Sequence, residues 1–288
     1  MKTYPPFVAK TGDDFSTYRT RHQVANYAEF TSVAEFATYI AHARSAGLAP
    51  YVLGKGSNTF FAARNIKAAV LKNQLPEIFE VVSDTPAGMT MEISSTVSLM
   101  KVLRFCQQHG LESFYYLASA PGNIGGALAM NAGGAINPPL AIYDFVDTVT
   151  CWEAGVLKTM AASAIPRSYR TTPFTGVHDK LIISARFTFP KIHLKDDPIQ
   201  KRLEWYRLAQ DTSGPSCGSV FHTCNGYIMG ALKRSRIKIL GSSFSGKWPN
   251  WIVCQKGSHR GIAALVLLAQ SLHWMLGKKA ILELVRVK

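Results

Sequence analysis

A glycine-rich segment without charged side chains, between residues 118 and 134, constrains the fold of this chain more than any other feature. Its core reads Ala120-Pro121-Gly122-Asn123-Ile124-Gly125-Gly126-Ala127, and Asn131-Ala132-Gly133-Gly134 follows. Glycines let a backbone approach its neighbours closely because they carry no Cβ atom. The pattern predicts backbone packed against a large flat ligand and its pyrophosphate; tight packing of a helix is the alternative.

A shorter glycine loop follows a predicted strand at residues 50–53. It reads Leu53-Gly54-Lys55-Gly56-Ser57-Asn58-Thr59. A strand that feeds such a turn can present backbone N–H groups to an anion. The order of Gly, Lys and Ser/Thr differs from a Walker A loop, and the dinucleotide fingerprint lacks its third glycine. Taken alone, the loop is equally compatible with a plain turn.

The hydrophobic periodicity mixes helices and strands throughout, which predicts an α+β or α/β fold. A polar stretch at residues 190–197 is typical of a linker. Helices are predicted at residues 32–46, 97–109, 198–210 and 260–276. Strands are predicted at residues 50–53, 68–72, 89–93, 142–152, 181–189 and 281–287.

The basic charge is concentrated in the last quarter of the chain. The net charge is +14, and residues 217–288 contain eleven Lys and Arg but a single acid, Glu283. Such a field attracts anions. A phosphate-bearing cofactor or nucleotide-sugar would fit it, and so would a plain basic surface. Nucleic acid is disfavoured, because the cations form no compact run and no recognition motif accompanies them.

The cysteines and the apolar runs bear on the cellular setting. Five irregularly spaced cysteines favour reduced thiols over a disulfide framework, which predicts a cytoplasmic protein. Cys217, His222 and Cys224 lack a second ligand pair at zinc spacing, so no metal site is expected. No apolar run reaches 18 residues, and we expect no membrane partner.

Two further motifs indicate a family. Tyr169-Arg170-Thr171-Thr172-Pro173-Phe174 resembles a Tyr-Arg-x-Ser-x-Phe segment, and Ser216-Cys217-Gly218-Ser219-Val220-Phe221 resembles a Ser-x-Gly-Ser-x-Phe segment. Both are found in the UDP-N-acetylenolpyruvoylglucosamine reductase (MurB) family, and the two glycine loops resemble the FAD-binding half of flavoproteins of the vanillyl-alcohol-oxidase type. The resemblance runs from about Tyr18 to the end.

The resemblance implies an α+β fold in two parts. Residues 1–190 would form a two-lobed FAD-binding domain, with subdomains at about 1–75 and 76–190. Residues 197–288 would form an α+β substrate domain. FAD would be held by residues of both loops and of one later strand: Leu53, Gly54, Lys55, Gly56, Ser57, Asn58, Thr59, Ala118, Pro121, Gly122, Asn123, Ile124, Gly125, Gly126, Ala127, Asn131, Gly133 and Ile183.

The resemblance also implies a reaction, the reduction of an enolpyruvyl ether C=C bond by reduced FAD, with NADPH as electron donor. Ser219 would donate the proton, Arg170 would hold the substrate carboxylate, and Tyr169 would line the same pocket. The negative charge that develops on the substrate must be stabilised, which suits a guanidinium. The expected partner is a small anionic molecule, and the oligomeric state is left open.

The chain departs from the family pattern at its C-terminus. The family ends in Leu-x-x-Glu-Val-Arg, whose Glu assists catalysis, whereas Leu284 stands at that position here and Glu283 lies one residue earlier. A shift of one residue on a strand turns a side chain to the opposite face. Glu283 is therefore a candidate catalytic residue only if a bulge or register shift turns it inward.

Other departures lie on the substrate side. His222 stands where the family has Lys, and Trp248 follows the retained Lys247 in place of His. The family's Gly-x-Leu-Ile-Glu segment reads Gly230-Ala231-Leu232-Lys233-Arg234 here, so bases stand where the family has an acid. Lys247, His222 and Lys233 are predicted to bind substrate. Three hypotheses remain open: an orthodox reductase, a diverged flavoenzyme acting on another small molecule, and a non-catalytic flavin-binding protein.

Overall fold

The computed structural model describes residues 5–134 and 140–288, which form two compact units. Unit 1 contains residues 5–6, Ala28–Gly54 and the described part of Val70–Glu204. Unit 2 contains Phe7–Tyr27, Lys55–Ala69 and Trp205–Lys288. The predicted division of the chain at residues 190–197 stays a prediction; the boundary between the units nearest to it follows Glu204.

The helices and strands are named here in chain order. The helices are α1 (Val33–Ser45), α2 (Leu99–Gln108), α3 (Ile124–Ala129), α4 (Pro198–Ala209), α5 (Gly226–Ser235) and α6 (His259–Met275). The strands are β1 (Val8–Gly12), β2 (His22–Phe30), β3 (Pro50–Leu53), β4 (Thr59–Phe61), β5 (Asn65–Asn73), β6 (Phe79–Asp84), β7 (Gly88–Ser94), β8 (Gly133–Gly134), β9 (Leu140–Ala141), β10 (Val146–Glu153), β11 (Val156–Ala161), β12 (Lys180–Pro190), β13 (Phe221–Thr223), β14 (Lys238–Ile239), β15 (Ser242–Phe244), β16 (Ile252–Cys254), β17 (Ile281–Leu282) and β18 (Val285–Val287).

The core of unit 1 lies between an antiparallel sheet and α2. The sheet has the order β11-β10-β12-β7-β6. The buried side chains of α2 recur at helical spacing and pack with those of β7 and β12: Leu99, Val102, Leu103 and Cys106. Ser98 caps the helix by accepting a hydrogen bond from the backbone N–H of Lys101 at 3.2 Å. This layer supports the glycine-rich segment, which begins α3.

The start of α1 illustrates a local signal that the structure confirms. Ser32 and Glu35 have the Ser-x-x-Glu spacing of a capping box, and Ser32 accepts a hydrogen bond from the N–H of Glu35 at 3.2 Å. The Glu35 carboxylate accepts in turn from the N–H of Thr31 at 2.7 Å. Two backbone donors at the helix start are thereby satisfied.

The core of unit 2 is built around α6, which packs beside the antiparallel sheet β14-β15-β16. The helix predicted at residues 260–276 is confirmed, and one face of it is buried: Ile262, Leu265, Val266, Ala269 and His273. Leu267, on the opposite side of the same helix, is 64 % exposed. Among the described residues, no helix is long and apolar enough to cross a membrane. All five cysteines are free thiols.

Two predicted strands were wrong in part. Ile142–Phe145 forms a 3₁₀ turn, so the strand predicted from residue 142 begins at Val146. The strand predicted over residues 281–287 is two short strands with Glu283 and Leu284 between them. The reason is a change of partner: β17 pairs antiparallel with β13, whereas β18 pairs in parallel with β4.

Candidate functional site

The glycine-rich segment of unit 1 is fixed by backbone hydrogen bonds around Ser95. The carbonyl of Ser95 accepts from the N–H of Gly125 at 2.9 Å, and its own N–H donates to the carbonyl of Ile183 at 2.7 Å. A Cβ at Gly125 would lie 2.7 Å from the Cβ of Ser95, closer than two such atoms can approach. At Gly125, therefore, glycine is required for packing within the protein itself.

Gly126, the next residue, has a different environment. A Cβ built there meets no atom within 4 Å. Nearby, the side-chain oxygens of Asn123, Asn131 and Tyr116 are buried, and among the described residues they have no hydrogen-bond partner. Buried polar atoms are normally paired, so unpaired ones mark groups that a ligand can satisfy. The segment thus combines a packed face at Gly125 with an open face at Gly126.

Tyr169 and Arg170 form a tight turn. Reciprocal backbone hydrogen bonds of 3.0 and 3.2 Å join Ser168 and Thr171 on either side of it. Arg170 adopts a left-handed backbone conformation, with φ of +57°, and its guanidinium lies 5.4 Å from the centre of the Tyr169 ring. Tyr169 is 61 % exposed. The turn therefore presents an aromatic ring and a cation side by side.

The turn is anchored to the glycine-rich segment. The side-chain amide of Asn131 donates to the carbonyl of Ser168 at 2.9 Å. The hydroxyls of Thr172 and Thr175 both donate to the carbonyl of Ala129, at 2.8 and 2.6 Å, where α3 ends. These bonds fix the predicted catalytic turn relative to the predicted cofactor segment within unit 1.

The positive charge of Arg170 lowers the pKa of the buried Tyr116 hydroxyl, but burial and other groups outweigh it. Burial raises the pKa of the Tyr116 hydroxyl well above its ordinary value, and the Asp144 carboxylate raises it further, whereas the guanidinium of Arg170 opposes both. Tyr116 therefore remains a neutral hydrogen-bond donor at physiological pH. Its hydroxyl and the Arg170 side chain belong to the same polar neighbourhood of unit 1.

His178 is a residue that the sequence gave no reason to select. Its Nδ1 accepts a hydrogen bond from the backbone N–H of Val52 at 3.3 Å, and its ring packs on Tyr51 at 4.2 Å between centres. Burial lowers the pKa of His178 to about 4, so the ring is neutral and the proton resides on Nε2. That Nε2 is buried and has no hydrogen-bond partner among the described residues. Val52, which His178 binds, directly precedes Leu53 at the start of the shorter glycine loop.

The shorter glycine loop begins in unit 1 and continues in unit 2. In unit 1, the ammonium of Lys72 donates to the carbonyl of Gly54. In unit 2, Gly56 has φ of +69°, and a Cβ there would lie 2.1 Å from the carbonyl oxygen of Phe15. The carbonyl of Gly56 accepts a hydrogen bond from the N–H of Thr17 at 3.2 Å. The loop can therefore close against residues 15–17 only with glycine at position 56.

Ser219 lies on a turn of unit 2 that is held from one side by Asn250. The carbonyl of Asn250 accepts from the N–H of Val220 at 2.9 Å, and its side chain exchanges two hydrogen bonds with the backbone of Phe221. Gly218, just before Ser219, has φ of +77°. Ser219 itself is half-buried and pairs with Trp251 through an isolated backbone bridge.

Cys217 connects this turn to the shorter glycine loop. Its sulfur accepts a hydrogen bond from the Thr17 hydroxyl at 3.1 Å, lies 3.3 Å from the Ser16 hydroxyl, and donates to the carbonyl of Thr59 at 3.4 Å. Burial raises the pKa of the Cys217 thiol, which keeps it protonated and unreactive. Among the described residues, no group of three His, Cys, Asp or Glu could hold a metal ion.

The segment around Glu283 lies between the loop and the Ser219 turn. The N–H of Glu283 donates to the carbonyl of Val220 at 2.9 Å, and the Asn58 side chain donates to the carbonyl of Glu283 at 3.0 Å. Leu284 is 4 % exposed and belongs to the hydrophobic core of unit 2. Glu283 is half-buried, and its Oε2 is shielded from solvent.

The three predicted substrate-binding residues fall in two places in unit 2. The ammonium of Lys233 donates to the carbonyl of Lys247, and that of Lys247 donates to the carbonyl of Arg207, both at 3.1 Å. His222 instead lies on β13, where its Nδ1 is 2.9 Å from the Thr223 hydroxyl. The structure brings the two lysines together and pairs the strand of His222 with β17.

Comparison with known proteins identifies the class. Residues 24–155 match the model of an FAD binding domain. UDP-N-acetylenolpyruvoylglucosamine reductase of Chlamydia trachomatis serovar D is 28 % identical over 243 residues, 83 % of this chain and 81 % of that protein. The enzyme of the same name from Aquifex aeolicus is 29 % identical over 251 residues, 83 % of this chain and 80 % of that protein.

A solved structure matches the fold over the whole length. UDP-N-acetylenolpyruvylglucosamine reductase (MurB) from Thermus caldophilus superposes with a TM-score of 0.73 at 17 % identity, covering 98 % of this chain and 100 % of that one. The protein is an FAD-dependent oxidoreductase with the predicted α+β fold. These similarities support an FAD-binding protein of the MurB type, and they favour a MurB-type reductase over the diverged and non-catalytic alternatives.

The open face at Gly126 leads to a prediction about FAD. Gly126→Ala should leave the apoprotein as stable as the wild type, or up to about 1 kcal/mol more stable, since alanine favours a helix. It should weaken FAD binding roughly tenfold, about 1.4 kcal/mol, because the methyl group enters the space that the cofactor would use. Titration of the apoprotein with FAD, followed by flavin fluorescence, measures the second effect.

Gly125→Ala is the matched control for this prediction. It places the methyl group against Ser95 and should destabilise the apoprotein by about 1–3 kcal/mol in urea denaturation. Wild-type FAD affinity in the Gly126 variant, with its fold intact, would mean that the open face of the segment is not where the cofactor binds.

Proposed function

We propose that this flavoprotein reduces the enolpyruvyl C=C bond of UDP-N-acetylenolpyruvoylglucosamine, with electrons from NADPH. The observation that carries the proposal is the hydrogen bond between the N–H of Glu283 and the carbonyl of Val220, at 2.9 Å. This bond places Glu283, the only acid of residues 217–288, next to Val220, the residue that follows Ser219. The names of the relatives, which match more than four fifths of the chain, support the same substrate.

The proposed roles follow from the chemistry of each side chain. FAD, when bound, supplies the hydride. Ser219 would deliver the proton that completes the reduction at the other carbon. The guanidinium of Arg170 would hold the substrate carboxylate through paired, charge-assisted hydrogen bonds, and it would stabilise the charge that develops there. Tyr169 would line the same side, because it shares the turn with Arg170.

The nucleotide-sugar is anionic, and cations of unit 2 suit its phosphates. Lys233 and Lys247 lie together and would attract the diphosphate. His222 would add a hydrogen bond from β13. The buried Nε2–H of His178, together with both glycine loops and Ile183, would contribute to FAD binding. We assign FAD to residues 1–190, substrate to residues 197–288 and the activity to the cytoplasm.

We infer that Glu283 replaces the family acid. Leu284 packs in the hydrophobic core, and a leucine can neither donate a proton nor polarise an enolate. The break between β17 and β18 falls at Glu283 and Leu284, which is the interruption of register that an inward-facing Glu283 requires. The shielded Oε2 suits a carboxyl group that assists a reaction away from water.

Glu283→Gln tests this inference. It should slow substrate reduction by about 10²-fold, because it removes the acid but preserves shape and hydrogen-bonding capacity. Flavin reduction by NADPH and FAD content should be unchanged. Stopped-flow measurement of each half-reaction separates the two effects.

Leu284→Met is the matched control for Glu283→Gln. A volume-conserving exchange in the core should cost less than about 1.5 kcal/mol of stability and leave both half-reactions near wild type. Equal loss of activity in the two variants would assign the effect to packing of the C-terminal strands rather than to an acid.

A further inference from the structure

Four large apolar side chains project into solvent at one end of unit 2. Tyr227 is 90 % exposed, Trp274 80 %, Met275 71 % and Leu276 61 %. We call them the apolar tip. Single exposed apolar residues are ordinary on protein surfaces, whereas a contiguous group that includes Trp and Tyr marks a surface that meets another apolar phase.

The apolar tip is assembled by a buried histidine. Nε2 of His273 accepts a hydrogen bond from the N–H of Asn225 at 2.9 Å, and its Nδ1 bonds to the carbonyl of Ala269 at 2.7 Å. Asn225 in turn caps α5 through its side chain, which accepts from the N–H of Tyr227 at 3.0 Å. The start of α5 and the end of α6 are thus joined, and this places Tyr227 two residues after the Asn225 that His273 binds, with Trp274 directly after His273.

The backbone at the end of α6, which carries the tip, is hydrogen-bonded rather than frayed. The N–H of Gly277, with φ of +65°, donates to the carbonyl of Trp274 at 3.0 Å. The N–H of Lys278 donates to the carbonyl of His273 at 2.7 Å. This arrangement is a glycine C-cap, which satisfies the last carbonyls of α6. The three apolar residues at positions 274–276 are therefore presented on a fixed turn.

Cations border the tip. Lys278 and Lys279 follow the cap directly and are exposed, and no described residue forms a salt bridge with either. The surrounding sequence is strongly basic, since residues 217–288 hold eleven Lys and Arg against Glu283 alone. Apolar side chains flanked by unpaired cations are the combination that binds the interface of an anionic bilayer, where aromatic rings lie at headgroup level and lysines contact phosphates.

We propose that the apolar tip docks this enzyme onto an anionic lipid surface, with Trp274 and Tyr227 in the headgroup layer and Lys278 and Lys279 against lipid phosphates. The contact is peripheral, and it revises the expectation of no membrane partner that the apolar runs gave. A second copy of the chain is a poorer occupant, because two tips facing each other would bring their lysines together without an acid to pair them.

Vesicle sedimentation with the FAD-loaded full chain tests the proposal. The protein should bind phosphatidylcholine vesicles that contain about one third phosphatidylglycerol, and it should bind pure phosphatidylcholine at least tenfold more weakly. Lys278→Gln with Lys279→Gln should weaken binding roughly 25-fold, about fivefold for each cation near the surface. Trp274→Ser with Leu276→Ser should weaken it by tenfold or more. FAD content and activity on soluble substrate should not change.

Matched control variants remove positive charges or an exposed apolar side chain at positions outside the apolar tip. Lys67→Gln with Lys195→Gln lowers the net charge equally, and Leu157→Ser removes an apolar side chain that is 61 % exposed in unit 1. Neither should weaken vesicle binding more than about twofold, since both lie outside the tip. An equal loss in the lysine control would reduce the effect to net charge and overturn the proposal.

Two other results would also overturn it. One is the absence of binding to anionic vesicles by a folded wild-type protein. The other is a change from dimer to monomer on Trp274→Ser with Leu276→Ser, in sedimentation velocity, with vesicle binding unaffected. That outcome would assign the tip to self-association.

Discussion

Replacing Ser219 by alanine is expected to slow the reaction of reduced enzyme with substrate by about 10²–10⁴-fold, the range for losing a positioned proton donor. Reduction of the flavin by NADPH should stay within about twofold of wild type, since that half-reaction requires no proton from Ser219. The fold should survive, because the turn is held by backbone bonds to Asn250 and not by the Ser219 hydroxyl. Anaerobic stopped-flow of each half-reaction gives both rates.

Ser219→Cys is the informative companion of Ser219→Ala. A thiol ordinarily loses its proton far more readily than a hydroxyl, so this variant should recover part of the lost rate and shift its pH dependence downward. If Ser219→Ala keeps wild-type rates in both half-reactions, Ser219 is not the proton donor and the proposed mechanism is wrong at its central step.

Gly56→Ala is expected to have the largest effect on stability, a loss of about 3 kcal/mol or more. The added Cβ would lie 2.1 Å from the carbonyl oxygen of Phe15, and backbone cannot move aside as a flexible side chain can. The positive φ of +69° adds about 1–2 kcal/mol of conformational strain for a residue with a Cβ. Urea denaturation of the apoprotein measures the loss.

Gly54→Ala, in the same loop, is the control for Gly56→Ala. A Cβ at Gly54 meets no atom within 4 Å, and its φ lies outside the positive range. We expect its stability within about 0.5 kcal/mol of wild type, as for a surface substitution away from special features. Equal losses for the two glycines would show that general chain stiffness, and not the contact with Phe15, determines the effect.

Local signals predicted much of the fold. The capping box at Ser32 and Glu35 fixed the start of α1, and the apolar spacing of residues 260–276 located α6 to within two residues at each end. The glycine motifs indicated an FAD-binding fold, because they depend on close backbone approach that few other residues permit. β1, β2 and β6 were not predicted; in β6, five of six residues are exposed, so no alternation of buried side chains marks it.

Pairing between distant parts of the chain could not be predicted. Residues 281–287 alternate like one strand, yet β17 and β18 take partners that lie about 60 and 226 residues away. The change of partner falls at Glu283 and Leu284, of which Leu284 lies in the core and Glu283 is half-buried. The same holds for His178, whose contacts with Tyr51 and Val52 span more than 120 residues and leave no motif.

The most direct test of the proposed function is a single anaerobic turnover. The purified protein, with its flavin spectrum verified, is reduced with NADPH and mixed with UDP-N-acetylenolpyruvoylglucosamine. Rapid re-oxidation of the flavin, with a product heavier by two hydrogens, is the expected result. A protein that holds FAD and accepts electrons, but whose reduced flavin is not re-oxidised by this substrate, would contradict the assignment and require a different acceptor.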